Sequence, residues 1–204
     1  MSAPENVSVL VSTFGSKEWE DRGSATAAAA HRYLKSDGLR EVAHVHLSDG
    51  TLAQARNLAA AQARGTWLCF LDGDDSLSPD YARGVLSGWG DLRQPKTTFC
   101  KPENAEIRSA PSFITPAPGG NLLLGNWMVV GTAVRRAMFE EVGGFDEYEA
   151  WEDFALWLKC VRAGAKIGKA PKSIYHIGPV LPSGRNMQTV GNKTLFDKIV
   201  KECG

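Results

Sequence analysis

The sequence feature that most constrains the fold is a five-residue apolar run that ends in a cluster of acids. Residues 67–71 read Trp-Leu-Cys-Phe-Leu, and residues 72–75 read Asp-Gly-Asp-Asp. A short apolar run bounded by polar residues is typical of a strand buried on both faces. Three carboxylates in four positions repel one another, and a divalent cation with oxygen ligands neutralises such a cluster. We therefore expect a metal and phosphate site at the end of this strand.

The same acids also fit a simpler interpretation, in which the loop is a solvated turn. Asp and Gly are common turn residues because they tolerate unusual backbone angles and bond to nearby amides. In this interpretation Ser78 caps the next helix and Pro79 opens it. The acid cluster alone leaves both interpretations open.

Strands and helices are predicted to alternate along the chain. Open α/β sheets bind ligands at the carboxyl ends of their strands, often through small polar residues. Ser12 and Thr13 follow the first predicted strand and are therefore candidate ligand-binding residues. Residues 101–121 are rich in Pro and Gly, so we expect an irregular excursion there. The alternation predicts an α/β fold with a mainly parallel sheet and helices on both faces. The expected strands are residues 7–11, 42–47, 67–71, 97–100 and 127–134, and the expected helices are residues 24–35, 52–64, 79–89, 136–142 and 151–162.

Composition excludes several classes of partner. Lys and Arg number 23 and Asp and Glu also number 23, so no overall basic field attracts nucleic acid or an anionic membrane. No apolar run approaches the ~20 residues of a membrane span, and the N-terminus lacks the features of a signal peptide. The four cysteines are far apart and resemble buried thiols of a reducing compartment. We expect a cytoplasmic protein that binds no nucleic acid and spans no membrane.

A second acidic site follows at Glu152 and Asp153, in the first turn of a predicted helix. The helix dipole favours negative charge there, which is a complete structural explanation. A general base requires the same arrangement, an ionised carboxylate held at the rim of a pocket. Arg56 lies near the start of the predicted helix at 52–64. It either faces a phosphate at the sheet edge that carries Asp72 or is a solvated side chain. His44 and His46 share one strand face, and we interpret them as structural.

Together these segments resemble the family 2 glycosyltransferases of the GT-A fold. Their order and spacing make the resemblance specific, and it covers residues 6–178. It implies the Rossmann-like fold of nucleotide-diphospho-sugar transferases, with one domain at residues 1–178. A tail at residues 179–204 would then close over the donor site. The resemblance is carried by residues 7–12, Ala-Arg-Asn at 55–57, Ala-Arg-Gly-Thr-Trp-Leu at 63–68, the acids at 72–75, Val-Gly-Gly-Phe-Asp-Glu at 142–147, and Glu-Asp at 152–153.

The resemblance also implies an activity and a set of site residues. Such enzymes move a sugar from a nucleotide-sugar donor to an acceptor hydroxyl, use Mn²⁺ or Mg²⁺, and invert the anomeric centre. A UDP-sugar is the expected donor, and the acceptor is a glycan, a protein or a small molecule. In one respect the chain departs from many family members, in which an Asp-Asp-Gly-Ser segment is well separated from Ala-Arg-Asn. Here Ser-Asp-Gly-Thr at 48–51 comes immediately before Ala-Arg-Asn, so the part of the domain expected to bind the nucleotide base is shortened. The residues expected for catalysis are Asp153 and Glu152, and those expected for the metal are Asp72, Asp74 and His176. The residues expected to contact the donor are Ser12, Thr13, Asp49, Arg56, Asp72, Gly73 and Arg185. Arg185 and Lys193 of the tail either close over the diphosphate or are solvated charges.

Two other functions remain open at this point. Asp-Gly-Asp after a strand also resembles the nucleophile motif of haloacid dehalogenase-like phosphatases, but those enzymes carry it on their first strand with a glycine-threonine type of continuation. Here Asp75 and Ser76 follow a full βαβα segment. A non-catalytic nucleotide-sugar binding module is the other possibility, and it would need no base at Asp153.

Overall fold

The computed structural model describes residues 4–99, 121–178 and 193–204. Within these residues seven strands form one sheet, in the order β2-β1-β3-β6-β5-β7-β4. The strands are β1 Val7–Phe14, β2 Leu39–Leu47, β3 Trp67–Leu71, β4 Ser76–Leu77, β5 Leu92–Phe99, β6 Ala133–Arg135 and β7 Ile167–Ile177. The α-helices are α1 Lys17–Tyr33, α2 Leu52–Gln62, α3 Tyr81–Leu86, α4 Arg136–Glu141, α5 Glu152–Arg162 and α6 Lys193–Cys203, and a 3₁₀ turn spans Leu122–Leu124.

The sheet is mixed but mainly parallel, as predicted. Strands β1, β2 and β3 pair in parallel, and so do β5 and β7. Strand β6 is antiparallel to both β3 and β5, and β4 is antiparallel to β7. Among the strands of the described chain, only β4 and β6 therefore run against the other five.

The chain reverses its winding direction at β1, and this places the ligand crevice. From β1 it passes to β2 on one side, and from β2 it returns to β3 on the other side. Because parallel crossovers are right-handed, these two moves put α1 and α2 on opposite faces of the sheet. Ligands of such sheets bind at this switch point, at the carboxyl ends of the strands. Here those ends carry Ser12, Thr13 and the acids at residues 72–75.

The core joins the central strand to the elements that carry the second acidic site. All five residues of β3 are buried, as the apolar run predicted. The ring of Phe70 packs 5.6 Å from Phe139 in α4 and 4.8 Å from Phe145 in the loop before α5, measured between centroids. Each such aromatic pair contributes about 0.5–1.5 kcal/mol beyond its buried area. The acidic loop thus extends from a rigidly packed strand.

Several element boundaries differ from the sequence prediction. Helix α1 begins at Lys17, not at Ser24, because Glu18 and Glu20 lie in a first turn that the positive end of the dipole stabilises. Strand β6 has only three residues, because the amide of Thr132 bonds to the carbonyl of Val129 in a turn. The last part of the expected flexible tail forms α6, which packs against α5.

Candidate active site

The acidic loop lies at the switch point and is held by α1 and β7. The amide of Asp75 bonds to the carbonyl of Asp72 at 3.2 Å, which closes the turn. From α1, the hydroxyl of Thr26 donates to the carbonyl of Gly73 at 2.7 Å. There is no room for a side chain at Gly73, since a Cβ would lie 2.9 Å from the methyl group of Thr13. The glycine of the motif is therefore required by close packing against β1.

Tyr175 of β7 fixes the same loop, and the sequence analysis did not identify it. Its hydroxyl donates to Oδ2 of Asp75 at 2.6 Å and accepts a hydrogen bond from the amide of Asp72 at 3.3 Å. The other carboxylate oxygen of Asp75 accepts from the amide of Gly178 at 2.7 Å. Asp75 thus serves to hold the loop. Burial and the negative charge of Asp72 raise the pKa of the Asp75 carboxyl group.

Arg56 connects the two acidic motifs. Its Nη2 atom donates to Oδ1 of Asp72 at 2.6 Å, and its Nη1 atom donates to Oε1 of Glu152 at 2.7 Å. The guanidinium group is buried, in contrast to the solvated alternative. Burial alone would lower its pKa, but the charges of Asp72, Glu152 and Asp153 raise the pKa above its ordinary value. Arg56 therefore remains a cation and holds both motifs at one place.

Asn57, the next residue of α2, orients the loop before α5. Its Oδ1 atom accepts from the amide of Phe145 and its Nδ2 atom donates to the carbonyl of Phe145, both at 2.9 Å. Gly144 has a φ of +71°, and a Cβ at that position would lie 2.6 Å from Oδ1 of Asn57. The Ala-Arg-Asn and Gly-Gly-Phe segments, far apart in sequence, are thus one structural unit.

Asp153 lies in the first turn of α5, beside the buried Glu152. Its Oδ1 atom accepts a hydrogen bond from the amide of Phe154 at 2.8 Å. Burial, followed by the negative charge of Glu152, raises the pKa of Asp153 to about 7, and the nearby Arg56 opposes this rise. A carboxyl group that titrates near neutral pH has the proton affinity expected of a general base. Glu152 instead forms the ion pair with Arg56.

The two aspartates proposed as metal ligands fit a divalent cation only in part. Asp74 forms no ion pair among the described residues, and burial and the charge of Asp72 raise its pKa. One oxygen of Asp72 is bound to Arg56. Within residues 4–99, 121–178 and 193–204, no group of three His, Cys, Asp or Glu side chains is arranged to hold a metal. Hard oxygen ligands of this kind suit Mg²⁺ or Mn²⁺ when substrate phosphates supply the remaining ligands.

His176 is hydrogen-bonded away from the acidic loop. Its Nδ1 atom lies 2.7 Å from the hydroxyl of Thr98 in β5. Successive side chains of a strand point to opposite faces of the sheet. Since the hydroxyl of Tyr175 reaches Asp72 and Asp75, we expect the side chain of His176 to point to the other face. For this reason His176 is left out of the metal set proposed below.

The other predicted donor residues have varied surroundings. Ser12 is buried, and its hydroxyl has no hydrogen-bond partner in the described structure. The hydroxyl of Thr13 lies 3.0 Å from Nε2 of His44 and 3.0 Å from Nδ1 of His46, which accounts for both histidines structurally. Asp49 is exposed at the end of β2. Arg185 lies outside the described residues. Lys193 pairs with Asp197 of its own helix at 2.6 Å.

The family model described as Glycosyl transferase family 2 matches residues 21–140, which is more than half of the chain. The chain belongs to glycosyltransferase family 2. Family membership sets aside the phosphatase interpretation of the acids after β3.

Individual relatives of this family 2 protein are distant. The O-antigen biosynthesis protein RfbC of Myxococcus xanthus is 29% identical over 136 residues, which cover 63% of this chain and 10% of RfbC. EpsH of Bacillus subtilis (strain 168) is 30% identical over 87 residues, which cover 43% of this chain and 23% of EpsH. The chain therefore spans less than a quarter of the length of these two relatives.

Among solved structures, S. aureus TarS has the same fold. TarS 1–349 in complex with UDP-GlcNAc aligns with a TM-score of 0.58 at 17% identity, over 89% of this chain and 60% of that chain. TarS 1–349 in complex with UDP aligns with a TM-score of 0.57 at 16% identity, over 97% and 66% of the two chains. None of the described helices of our family 2 protein is long and apolar enough to cross a membrane.

Proposed function

We propose that this chain is a metal-dependent, inverting glycosyltransferase that moves a sugar, a hexose or a related sugar, from a UDP-sugar to an acceptor hydroxyl. Membership of family 2 supports a transferase. The structural neighbour TarS is in complex with UDP or UDP-GlcNAc, which supports a nucleotide-sugar donor. The acceptor is a glycan, a protein or a small molecule. The described cysteines, Cys69, Cys160 and Cys203, are free and buried, which is compatible with the proposed cytoplasmic location.

The observation that carries the proposal is the bridge made by Arg56. A single guanidinium group bonds to Asp72 of the acidic loop and to Glu152, the residue before Asp153. A transferase needs its donor diphosphate and its base close together, on opposite sides of the reacting carbon. The Arg56 bridge supports this, because it joins the donor motif and the base motif within one side chain.

Each residue has a defined task in the proposed reaction. Asp153 accepts the proton of the acceptor hydroxyl as that oxygen attacks the anomeric carbon. Attack opposite the leaving diphosphate inverts the configuration in one displacement. A divalent cation held by Asp74 and Asp72 would supply charge that offsets the departing nucleoside diphosphate. Arg56 holds Asp72 and Glu152 in place through its two ion pairs. Ser12 and Gly73 border the donor at the switch point, and Asp49 and Arg185 remain proposed donor contacts.

Binding of nucleotide sugars tests this proposal without knowledge of the acceptor. A ligand that binds only the native state raises the melting temperature by mass action. We expect a UDP-sugar to raise it when Mn²⁺ or Mg²⁺ is present, and to do so much less after chelation of the metal by EDTA. The absence of stabilisation by any nucleotide sugar with either metal would contradict the proposal. Donor binding without turnover would instead favour the non-catalytic binding module.

A further inference from the structure

The C-terminal helix α6 packs against the start of α5, beside the proposed base. This helix lies outside the segment matched by the family model. Its residue Phe196 is buried, and the ring stacks on Phe154 with 5.1 Å between centroids and 10° between planes. The same ring meets Trp151 edge-on, at 6.1 Å and 82°. Trp151 and Phe154 directly flank Glu152 and Asp153, so one side chain of α6 contacts both sides of the acidic pair.

Phe196 contacts Trp151, a residue with an unfavourable backbone conformation. Trp151 has a φ of +58°, in the left-handed region that a bulky residue adopts rarely. Such a conformation persists only where the surrounding structure enforces it. The side chain of Trp151 also makes no capping hydrogen bond to the first turn of α5. The start of α5 is therefore held by packing, and Phe196 supplies part of that packing.

A second contact ties α6 to the loop that leads into α5. The hydroxyl of Tyr148 donates to Oε2 of Glu202 at 2.8 Å, and it lies 3.5 Å from Sγ of Cys203. The two ends of α6 thus hold two points of the segment before Asp153, since Phe196 contacts Trp151 and Glu202 contacts Tyr148.

We propose that α6 is a positioning element for the catalytic carboxylate, with Phe196 as the positioning residue. This inference rests on the proposed function, because it takes Asp153 as the base. The charges that act most strongly on Asp153 come from other elements: Glu152 on α5, Arg56 on α2 and Asp72 after β3. The contribution of α6 is mechanical. Its ring contacts with Trp151 and Phe154 fix the first turn of α5.

The test replaces Phe196 by Leu, which stays apolar but removes the ring, and by Tyr, which keeps the ring. If the first turn loosens, water reaches Asp153 and its pKa falls toward the ordinary range. We expect the NMR titration of the ¹³C-labelled Asp153 carboxyl to move down by about one pH unit in Phe196→Leu. We also expect kcat to fall roughly 10- to 100-fold with an unchanged KM for the donor, because small misplacements of a catalytic group are costly. Phe196→Tyr should retain the wild-type values.

Ile199→Ala is the matched control. Ile199 lies one turn further along α6 and is fully buried, so its truncation weakens the packing of the helix without removing the ring. Because the ring is retained, its titration should shift less than that of Phe196→Leu. An unchanged Asp153 titration in folded Phe196→Leu would overturn the inference, and an equal shift in Ile199→Ala would overturn the assignment of Phe196 as the positioning residue. The titration requires no turnover. Failure of the proposed function would appear separately, as wild-type turnover in Asp153→Asn.

Discussion

Arg56 and Glu152 lie 96 positions apart in the chain, yet Nη1 of Arg56 donates to Oε1 of Glu152 at 2.7 Å, and both side chains are buried. The same guanidinium group bonds to Asp72. Without this cation, the buried Glu152 and the partly buried Asp72 would be left as unpaired carboxylates, which is destabilising.

Replacement of Arg56 by Met should destabilise the protein by about 3–5 kcal/mol, because it leaves Glu152 and Asp72 without their buried partner. Arg56→Lys should recover only part of this loss, since a compact ammonium group does not span both carboxylates as a planar guanidinium does. Urea unfolding measures the effect. The control is Arg64→Met. The Arg64 side chain is 65% exposed in its pair with Glu41, so its loss should cost less than about 1 kcal/mol. Equal losses in both variants would refute the bridge.

Tyr175→Phe should loosen the acidic loop. It leaves the amide of Asp72 and an oxygen of Asp75 without their hydrogen-bond partner, at a cost of about 1–3 kcal/mol. Because the loop carries the proposed donor site, UDP should also bind more weakly in the presence of Mn²⁺, as measured by calorimetry. Tyr33→Phe is the control, since Tyr33 is largely exposed. Wild-type binding by Tyr175→Phe would show that the hydroxyl has no role in the site.

Asp74→Ala should abolish the metal-dependent part of UDP binding and leave the fold intact. In the described structure Asp72 is paired with Arg56 and Asp75 is bonded to Tyr175 and Gly178, whereas Asp74 has no ion pair. His176→Ala should retain metal-dependent binding, because His176 is bonded to Thr98 on the other face of the sheet. Calorimetric titration of UDP with and without Mn²⁺ compares the two variants. If His176→Ala lost the metal dependence of UDP binding and Asp74→Ala kept it, the metal ligand would be His176 and not Asp74.

The sequence was sufficient to predict the parts of the fold that depend on local pattern. The apolar run at Trp67–Leu71 gave the bounds of β3, and helix α5 was placed to within one residue. The family resemblance and the GT-A fold were confirmed. The helix predicted at residues 24–35 is too short, because α1 begins at Lys17 and the acids Glu18 and Glu20 in its first turn are a signal for that earlier start.

What could not be predicted depends on contacts between distant residues. The burial of Arg56 follows from Glu152, 96 positions away. Whether Tyr175 or His176 faces the acids depends on the register of β7 against β4, and a shift of one residue exchanges the two faces. The packing of α6 was missed because its apolar residues acquire a partner only when α5 is in place.

Asp153→Asn should stabilise the protein at pH 8. The pKa of Asp153 in the folded state, about 7, lies above the ordinary value of 3.8. The folded state therefore binds this proton more tightly than the unfolded state, and the stability from this group is lost as the pH rises from about 4 to about 7. Asparagine carries no charge at any of these pH values, so it avoids the cost of burying the carboxylate. The free energy of unfolding of Asp153→Asn should exceed that of the wild type by on the order of 1–3 kcal/mol at pH 8, and by less at pH 5. Urea unfolding at the two pH values measures it. A loss of stability at pH 8 would mean that the carboxylate is well solvated or paired.

The most direct measurement of the central claim is donor turnover by Asp153→Asn beside a donor-binding titration. Turnover is followed with an acceptor, or as slow hydrolysis of the UDP-sugar by water. Asparagine keeps the shape of the side chain and can accept from the amide of Phe154, but it cannot take a proton. We expect donor affinity close to the wild type and turnover lower by roughly 10²–10⁴-fold. In wild type, turnover should rise with pH up to about 7, where the carboxyl loses its proton. Glu152→Gln should reduce turnover less, although it weakens the ion pair with Arg56. Wild-type turnover in Asp153→Asn, or a larger loss in Glu152→Gln, would contradict the assignment of Asp153 as the base.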